Sequence, residues 1–276
     1  MRNTKTLMLA GTILCAAVAG QAHAQSASTL DTVVQAKKLR CGIMLDSPPS
    51  GFRNASNEPD GFDVAYCKDM AKALGAEPEI VETPAPDRIP ALVSNRIDVL
   101  IASTTPTPAR AMTVAFTQPY MNYTTTVITT KKTSVKSWDD LKSAKLGGVI
   151  GTTTEQLLNA QVEKGWKDTG ATYTGFSSDT EAFMALQQGK VDAILQATAV
   201  FNTLAGSGQF PEFVSAGLAP NNDMVSIAVK RDDQQFLNWA KLFVWQQKVS
   251  GRFDEVYKTF FGDSPVPTLN AEGVNF

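Results

Sequence analysis

Short apolar runs alternate with amphipathic stretches along most of the chain. Residues 38–45 (Lys-Leu-Arg-Cys-Gly-Ile-Met-Leu) read as a first strand, residues 79–81 as a second and residues 99–102 (Val-Leu-Ile-Ala) as a third. Between them, residues 63–74 carry Val64, Met70, Ala71 and Leu74 at helical spacing, with Gly75 as a stop, and residues 88–95 form a second helix. This β-α-β-α-β order predicts a parallel sheet with helices on its faces. Residues 46–60, rich in proline, glycine and asparagine, read as a loop. Past Arg110 the pattern changes: residues 114–116, 119–120 and 124–130 are extended and β-branched with no helix between them, and residues 124–128 suit an interdomain crossing. The alternation then resumes, with a short helix at 138–141, strands at 146–150, 172–174 and 191–195, and helices opening at Gly151 and spanning 178–189. Residues 224–229 suit a return crossing. Amphipathic helices at 236–248 and 253–261 close the chain, and Trp239, Phe243, Val244 and Val249 are expected to bury against the first unit.

Residues 1–24 fall outside this scheme. Arg2 and Lys5 precede an apolar run over 7–19, and Ala22-His23-Ala24 gives a small-x-small cleavage pattern before Gln25: a secretory signal peptide, implying export to the periplasm. Cys15 lacks the preceding small residues that lipidation expects. Losing Arg2 and Lys5 leaves 23 basic against 27 acidic residues, which speaks against nucleic-acid binding. The sole histidine, His23, leaves with the leader, which excludes histidine-based nucleophilic triads, acid–base catalysis and metal ligation. Cys41 and Cys67 are too few for a thiolate zinc site, and in an oxidising compartment an even pair suits a disulfide. No P-loop, dinucleotide fingerprint or nucleophile elbow is present, and neither a metal nor a cofactor is expected.

The candidate chemistry gathers after the third strand. Ser103, Thr104, Thr105 and Thr107 supply hydroxyls, Pro106 and Pro108 stiffen the chain, and Arg110 brings a fixed fork of donors. Thr107 suits an N-cap before Pro108 at the first helical position. Hydroxyls, a helix start and an arginine beyond a strand's carboxyl end suit an anionic ligand, although an ordinary connection with a solvated arginine has the same pattern. Thr152 and Glu155 likewise fit a capping box.

Gly61-Phe62-Asp63-Val64, Arg88-Ile89-Pro90-Ala91-Leu92, the 98–110 stretch, Pro119-Tyr120, Asp140-Leu141, Gly151-Thr152-Thr153 and Gly189-Lys190-Val191-Asp192-Ala193 occur in an order that resembles the polar-amino-acid solute-binding proteins of bacterial ABC transporters. The resemblance runs from about residue 39 to 262. It implies an α/β, two-lobed periplasmic-binding-protein fold of type II: lobe one at 30–125 plus 225–276, lobe two at 126–224, and two extended hinge crossovers. It further implies a monomeric receptor, not an enzyme, that closes over a small ligand and delivers it to a membrane permease. By the same resemblance Arg110 holds the ligand carboxylate with Ser103, Thr105, Thr152 and Thr153, and Cys41 pairs with Cys67. Arg88 corresponds to an arginine that reaches a side-chain carboxylate in acidic-amino-acid binders, or else sits on the helix surface near the cleft rim.

The departures from the family are specific. Its stacking aromatics are replaced by Ser47 or Ser50 and by Ala85, leaving Phe52 and Phe62 nearby, the latter equally suited to the core. The aspartate that pairs with the ligand's α-ammonium is replaced by Ala197, between Gln196 and Thr198. A buried ammonium without a partner is costly. Either Asp46, Asp179 or Asp223 compensates, or the ligand is a small organic acid without an α-amine. A cyclohexadienyl-dehydratase-like enzyme and a chemoreceptor partner are the remaining alternatives. Asp192 matches the family's structural aspartate.

Overall fold

The computed structural model of the protein describes residues 28–269, so the signal-peptide reading lies outside the described residues. The first segment holds α1 (Thr29–Ala36), β1 (Lys38–Ile43), β2 (Asp46–Ser47), β3 (Gly51–Arg53), β4 (Pro59–Asp60), α2 (Phe62–Ala73), β5 (Glu77–Glu82), α3 (Arg88–Val93), β6 (Val99–Thr104) and α4 (Pro108–Ala111). A strand of 17 residues, β7 (Val114–Thr130), then leads to β8 (Lys145–Val149), α5 (Thr153–Ala160), β9 (Thr172–Phe176), α6 (Asp179–Gln187), β10 (Ala193–Ala197) and α7 (Thr198–Ser207). The chain returns through β11 (Phe213–Lys230), 18 residues long, to α8 (Gln234–Val249) and α9 (Arg252–Phe261).

Eight strands form one mixed sheet in the order β5-β1-β6-β11-β7-β10-β8-β9. Its centre is the antiparallel pair β7 and β11, registered from Val114↔Lys230 at one end to Thr130↔Phe213 at the other. Strand β6 adds to β11 near the first end, followed by parallel β1 and β5. Strand β10 adds to β7 near the second end, followed by parallel β8 and β9. Both halves therefore hang on the same two strands. The register of β11 shifts between Ser215 and Leu218, between Leu218 and Asn222, and twice more between Val225 and Ala228, and such irregularities let paired strands bend.

Each half has its own core. In the first, α2, α8 and α9 cover β1 and β6, and Phe62 is fully buried against Tyr66, Tyr120, Phe253 and Phe261. Phe62 is thus core and not available to a ligand. Cys41 of β1 and Cys67 of α2 form a buried disulfide with a Cα–Cα distance of 6.2 Å. Phe243 and Val244 bury against this half as expected and Trp239 does so partly. Val249 does not: with Leu242 and Trp245 it forms the outward stripe of α8. Residues 46–60, expected as a loop, pair instead as the small antiparallel sheet β2-β3-β4. Asp192 accepts the Lys145 N–H (2.8 Å), the structural role expected of it.

Candidate functional site

The carboxyl end of β6 reaches the boundary between the halves. Thr107 caps α4, its hydroxyl accepting the Arg110 N–H (3.2 Å), and Pro108 takes the first helical position. This cap turns Arg110 inward, where it is 9% exposed. Its Nη1 donates to the Thr105 carbonyl (2.6 Å) and its Nη2 reaches across to the Gly151 carbonyl (2.6 Å). Ser103 stands in the left-handed region at φ 45°, a strained conformation for serine. It is held there from both sides: its N–H donates to the Tyr120 hydroxyl (3.1 Å), which donates to buried Asp63 (2.9 Å), and its carbonyl accepts from Arg88. Burial pushes the Asp63 carboxyl up to about 8, although the Tyr120 and Ser103 hydrogen bonds oppose this.

Arg88 does not lie on a helix surface at the cleft rim. It is 5% exposed, and its guanidinium donates to the carbonyls of Ala85 (3.1 Å), Ala102 (3.0 Å), Ser103 (3.0 Å) and Gly151 (3.1 Å). Those bonds pin its orientation and leave its charge unneutralised: among the described residues neither Arg88 nor Arg110 forms an ion pair. Burial and the nearby Arg110 lower the Arg88 pKa to about 10, and burial lowers that of Arg110.

From the second half, α5 presents its N-terminus. The Thr152 hydroxyl accepts the Glu155 N–H (3.0 Å) and donates to the Val149 carbonyl (2.7 Å), so it serves the cap that its spacing predicts. Glu155 reaches back to the Gly151 N–H (2.6 Å). The Thr153 hydroxyl instead donates across the boundary to Asp223 Oδ1 (2.7 Å), which also accepts from Thr105 (3.0 Å). Hydroxyls from opposite halves thus meet on one carboxylate oxygen. Gly151, at φ 82°, packs so closely that a Cβ would lie 3.3 Å from the Ala85 carbonyl.

These groups enclose a cavity of about 70 Å³, several times the ~10–15 Å³ that one water needs. Of the residues predicted for the site, Ser103, Thr105, Arg110, Thr152, Thr153, Arg88, Asp179, Gln196, Ala197 and Asp223 all line it. Asp46 lies behind the wall, accepting the Asp179 N–H (2.9 Å), and Phe52 sits on β3 outside the cavity. Sequence reasoning missed Tyr123 and the Gly151 carbonyl. Tyr123 lies within a uniformly extended, buried strand and is set apart only by its hydroxyl's bond to Ser50 (2.7 Å). Ser47 and Ser50 line the cavity where the family's aromatic was expected, whereas Ala85 packs in the apolar layer beneath.

Two half-sheets that share a pair of strands and enclose a charged cavity at their junction define a two-lobed periplasmic-type binding protein. The chain belongs to the bacterial extracellular solute-binding proteins, family 3, whose profile matches residues 39–263. It is 27% identical over 259 residues to the glutamine-binding protein of an ABC transporter from Bacillus subtilis (strain 168), covering 91% of this chain and 92% of the relative. It is also 27% identical over 236 residues to ABC transporter arginine-binding protein 1 of Escherichia coli (strain K12), covering 82% and 91%. Among solved structures, an ancestral arginine-binding protein bound to arginine has 32% identity and a TM-score of 0.75 over 82% of this chain and 99% of that one. The cysteine-binding protein of Campylobacter jejuni has 26% identity and a TM-score of 0.77 over 87% and 96%.

Proposed function

We propose that this protein is the periplasmic receptor of an ABC importer. It binds a small carboxylate-bearing solute, an amino acid, between lobe one (residues 30–125 plus 225–276) and lobe two (residues 126–224). It closes over the ligand by bending β7 and β11, and presents the closed surface to a membrane permease. The receptor works as a monomer and performs no chemistry on its ligand. The amino-acid class follows the named ligands of its relatives.

One observation supports this reading above the others: Thr105 and Thr153, from opposite halves, both donate to one carboxylate oxygen of Asp223, and Arg110 lines the same cavity. The wall is therefore complementary to a carboxylate. A ligand carboxylate takes over these hydroxyls, because each has a single proton to give, and adds a charge-assisted fork to Arg110. Ligand is then contacted from both lobes at once, which is the differential affinity that closure requires. A thermal-shift screen of refolded, ligand-stripped protein tests the reading. The panel pairs L-glutamine, L-arginine and L-cysteine with glutaramate, 5-guanidinopentanoate and 3-mercaptopropionate. Stabilisation by an amino acid supports it. Stabilisation only by the amine-free acids overturns the amino-acid assignment and makes Ala197 the mark of an organic-acid receptor.

A further inference from the structure

The cavity offers Arg110 and several hydroxyls to a carboxylate, but it carries Ala197 where the family resemblance implies an acid for the ligand's α-ammonium. The wall contains a substitute. Asp179, in the first turn of α6, is 4% exposed and lines the cavity beside Gln196 and Ala197. The Gln196 side chain ties the two places together, its Oε1 accepting the Ala197 N–H (2.8 Å) while the same side chain faces the Asp179 carboxyl. Among the described residues no lysine or arginine forms an ion pair with Asp179. Behind it, Asp46 Oδ2 accepts the Asp179 N–H, and Asp46 Oδ1 is buried with no partner. Two carboxyls thus stand together in a buried wall with no cation in ion-pair contact, Arg88 acting on Asp179 only from farther off. Asp223, the other acid of the cavity, stands at the carboxylate end, against the Thr105 and Thr153 hydroxyls.

We propose that Asp179, backed by Asp46, receives the ligand's α-ammonium in place of the missing residue at 197, and so makes a free amine a requirement for binding. This inference rests on the amino-acid reading above.

The electrostatics agree with the geometry. Burial and the neighbouring Asp46 push the Asp179 carboxyl up to about 7, and burial also raises Asp46. The charged groups facing Asp179 are Asp46 from β2 and Arg88 from α3, with Glu82 of β5 acting on Asp46 and Arg110 and Asp223 lining the same cavity. Strands β8 and β10 contribute the uncharged Gly148, Val149 and Gln196 to that cavity. An arriving ammonium favours the ionised carboxylate, so any proton held below about pH 7 is expelled as the ligand binds.

The test is calorimetric titration of the wild type and Asp179→Asn with the same three amino acids, at pH 6 in phosphate and in Bis-Tris, with a thermal melt of each variant as the folding control. The wild type should release up to about one proton with whichever amino acid it binds. Asp179→Asn should lose that release and bind about 100-fold more weakly, the range expected when one partner of a buried charge pair is removed. Unchanged release and affinity in Asp179→Asn overturn this inference alone, as does loss of release in Asp223→Asn with retention in Asp179→Asn. If the unfolding temperature of Asp179→Asn collapses, Asp179→Glu decides: proton release retained supports the role, and release absent overturns it. A wild type that binds none of the amino acids overturns the amino-acid reading and takes this inference with it.

Discussion

Arg110 owes its place to a short chain of causes: a threonine cap, a proline at the first helical position and two carbonyl acceptors on opposite sides of the cavity. Arg110→Ala should therefore cost about 2–5 kcal/mol of ligand binding. Its unfolding temperature should stay near that of the wild type, because the side chain packs no core; calorimetry and a thermal melt check both. Asp63 makes the opposite kind of contribution. Its carboxyl is raised by burial to about 8, so its contribution to stability is fully present below its unfolded value near 4 and is lost as pH rises towards 8. Asp63→Asn should flatten that part of the pH–stability profile, measured by urea denaturation from pH 4 to 9. The convergence of Ser103, Thr105 and Arg110 on one cavity was readable because hydroxyls and arginine cluster in one stretch of sequence. The burial of Arg88 was not, since its four carbonyl partners come from residues 85, 102, 103 and 151, which only the fold assembles.

Gly151 joins the elements across the cavity, giving one carbonyl to two arginines while its positive φ and the nearby Ala85 carbonyl disfavour a side chain. Gly151→Ala should cost about 1–2 kcal/mol in strain. Because the strain falls on the inter-lobe contact, the loss should show in ligand affinity more than in urea midpoint. The disulfide should behave inversely. Cys41 and Cys67 are 26 residues apart, and removing the bridge with Cys41→Ala/Cys67→Ala should lower stability by about 3 kcal/mol while binding survives, since neither residue lines the cavity. Period and capping signals located most helices and strands to within a few residues. Helices α1 and α7 were overlooked: α1 is a single short helix at the start of the described chain, and α7 follows β10 without a turn signal between them. Strand β7 was read in pieces and only residues 224–229 of β11 were read, because Pro119 and Gly217 interrupt the alternation although pairing with each other carries both strands through.

At the scale of the whole molecule, the two halves communicate through β7 and β11, through the bonds to Gly151 and Asp223, and through an apolar cluster that Val149 and Ala182 share with Ala85 and Leu92. Such a junction can be opened by bending two strands while each core stays intact. The bridging of the lobes by a single amino acid through Arg110 is the proposal on which the receptor role depends. Its most direct test is calorimetric titration of ligand-stripped wild type and Arg110→Ala with L-glutamine, L-arginine and L-cysteine, accompanied by small-angle scattering of the wild type with and without ligand. The expected result is saturable one-to-one binding of at least one amino acid, contraction of the wild type on binding, and loss of that binding in Arg110→Ala. Equal binding by the two proteins, or binding without contraction, would contradict it.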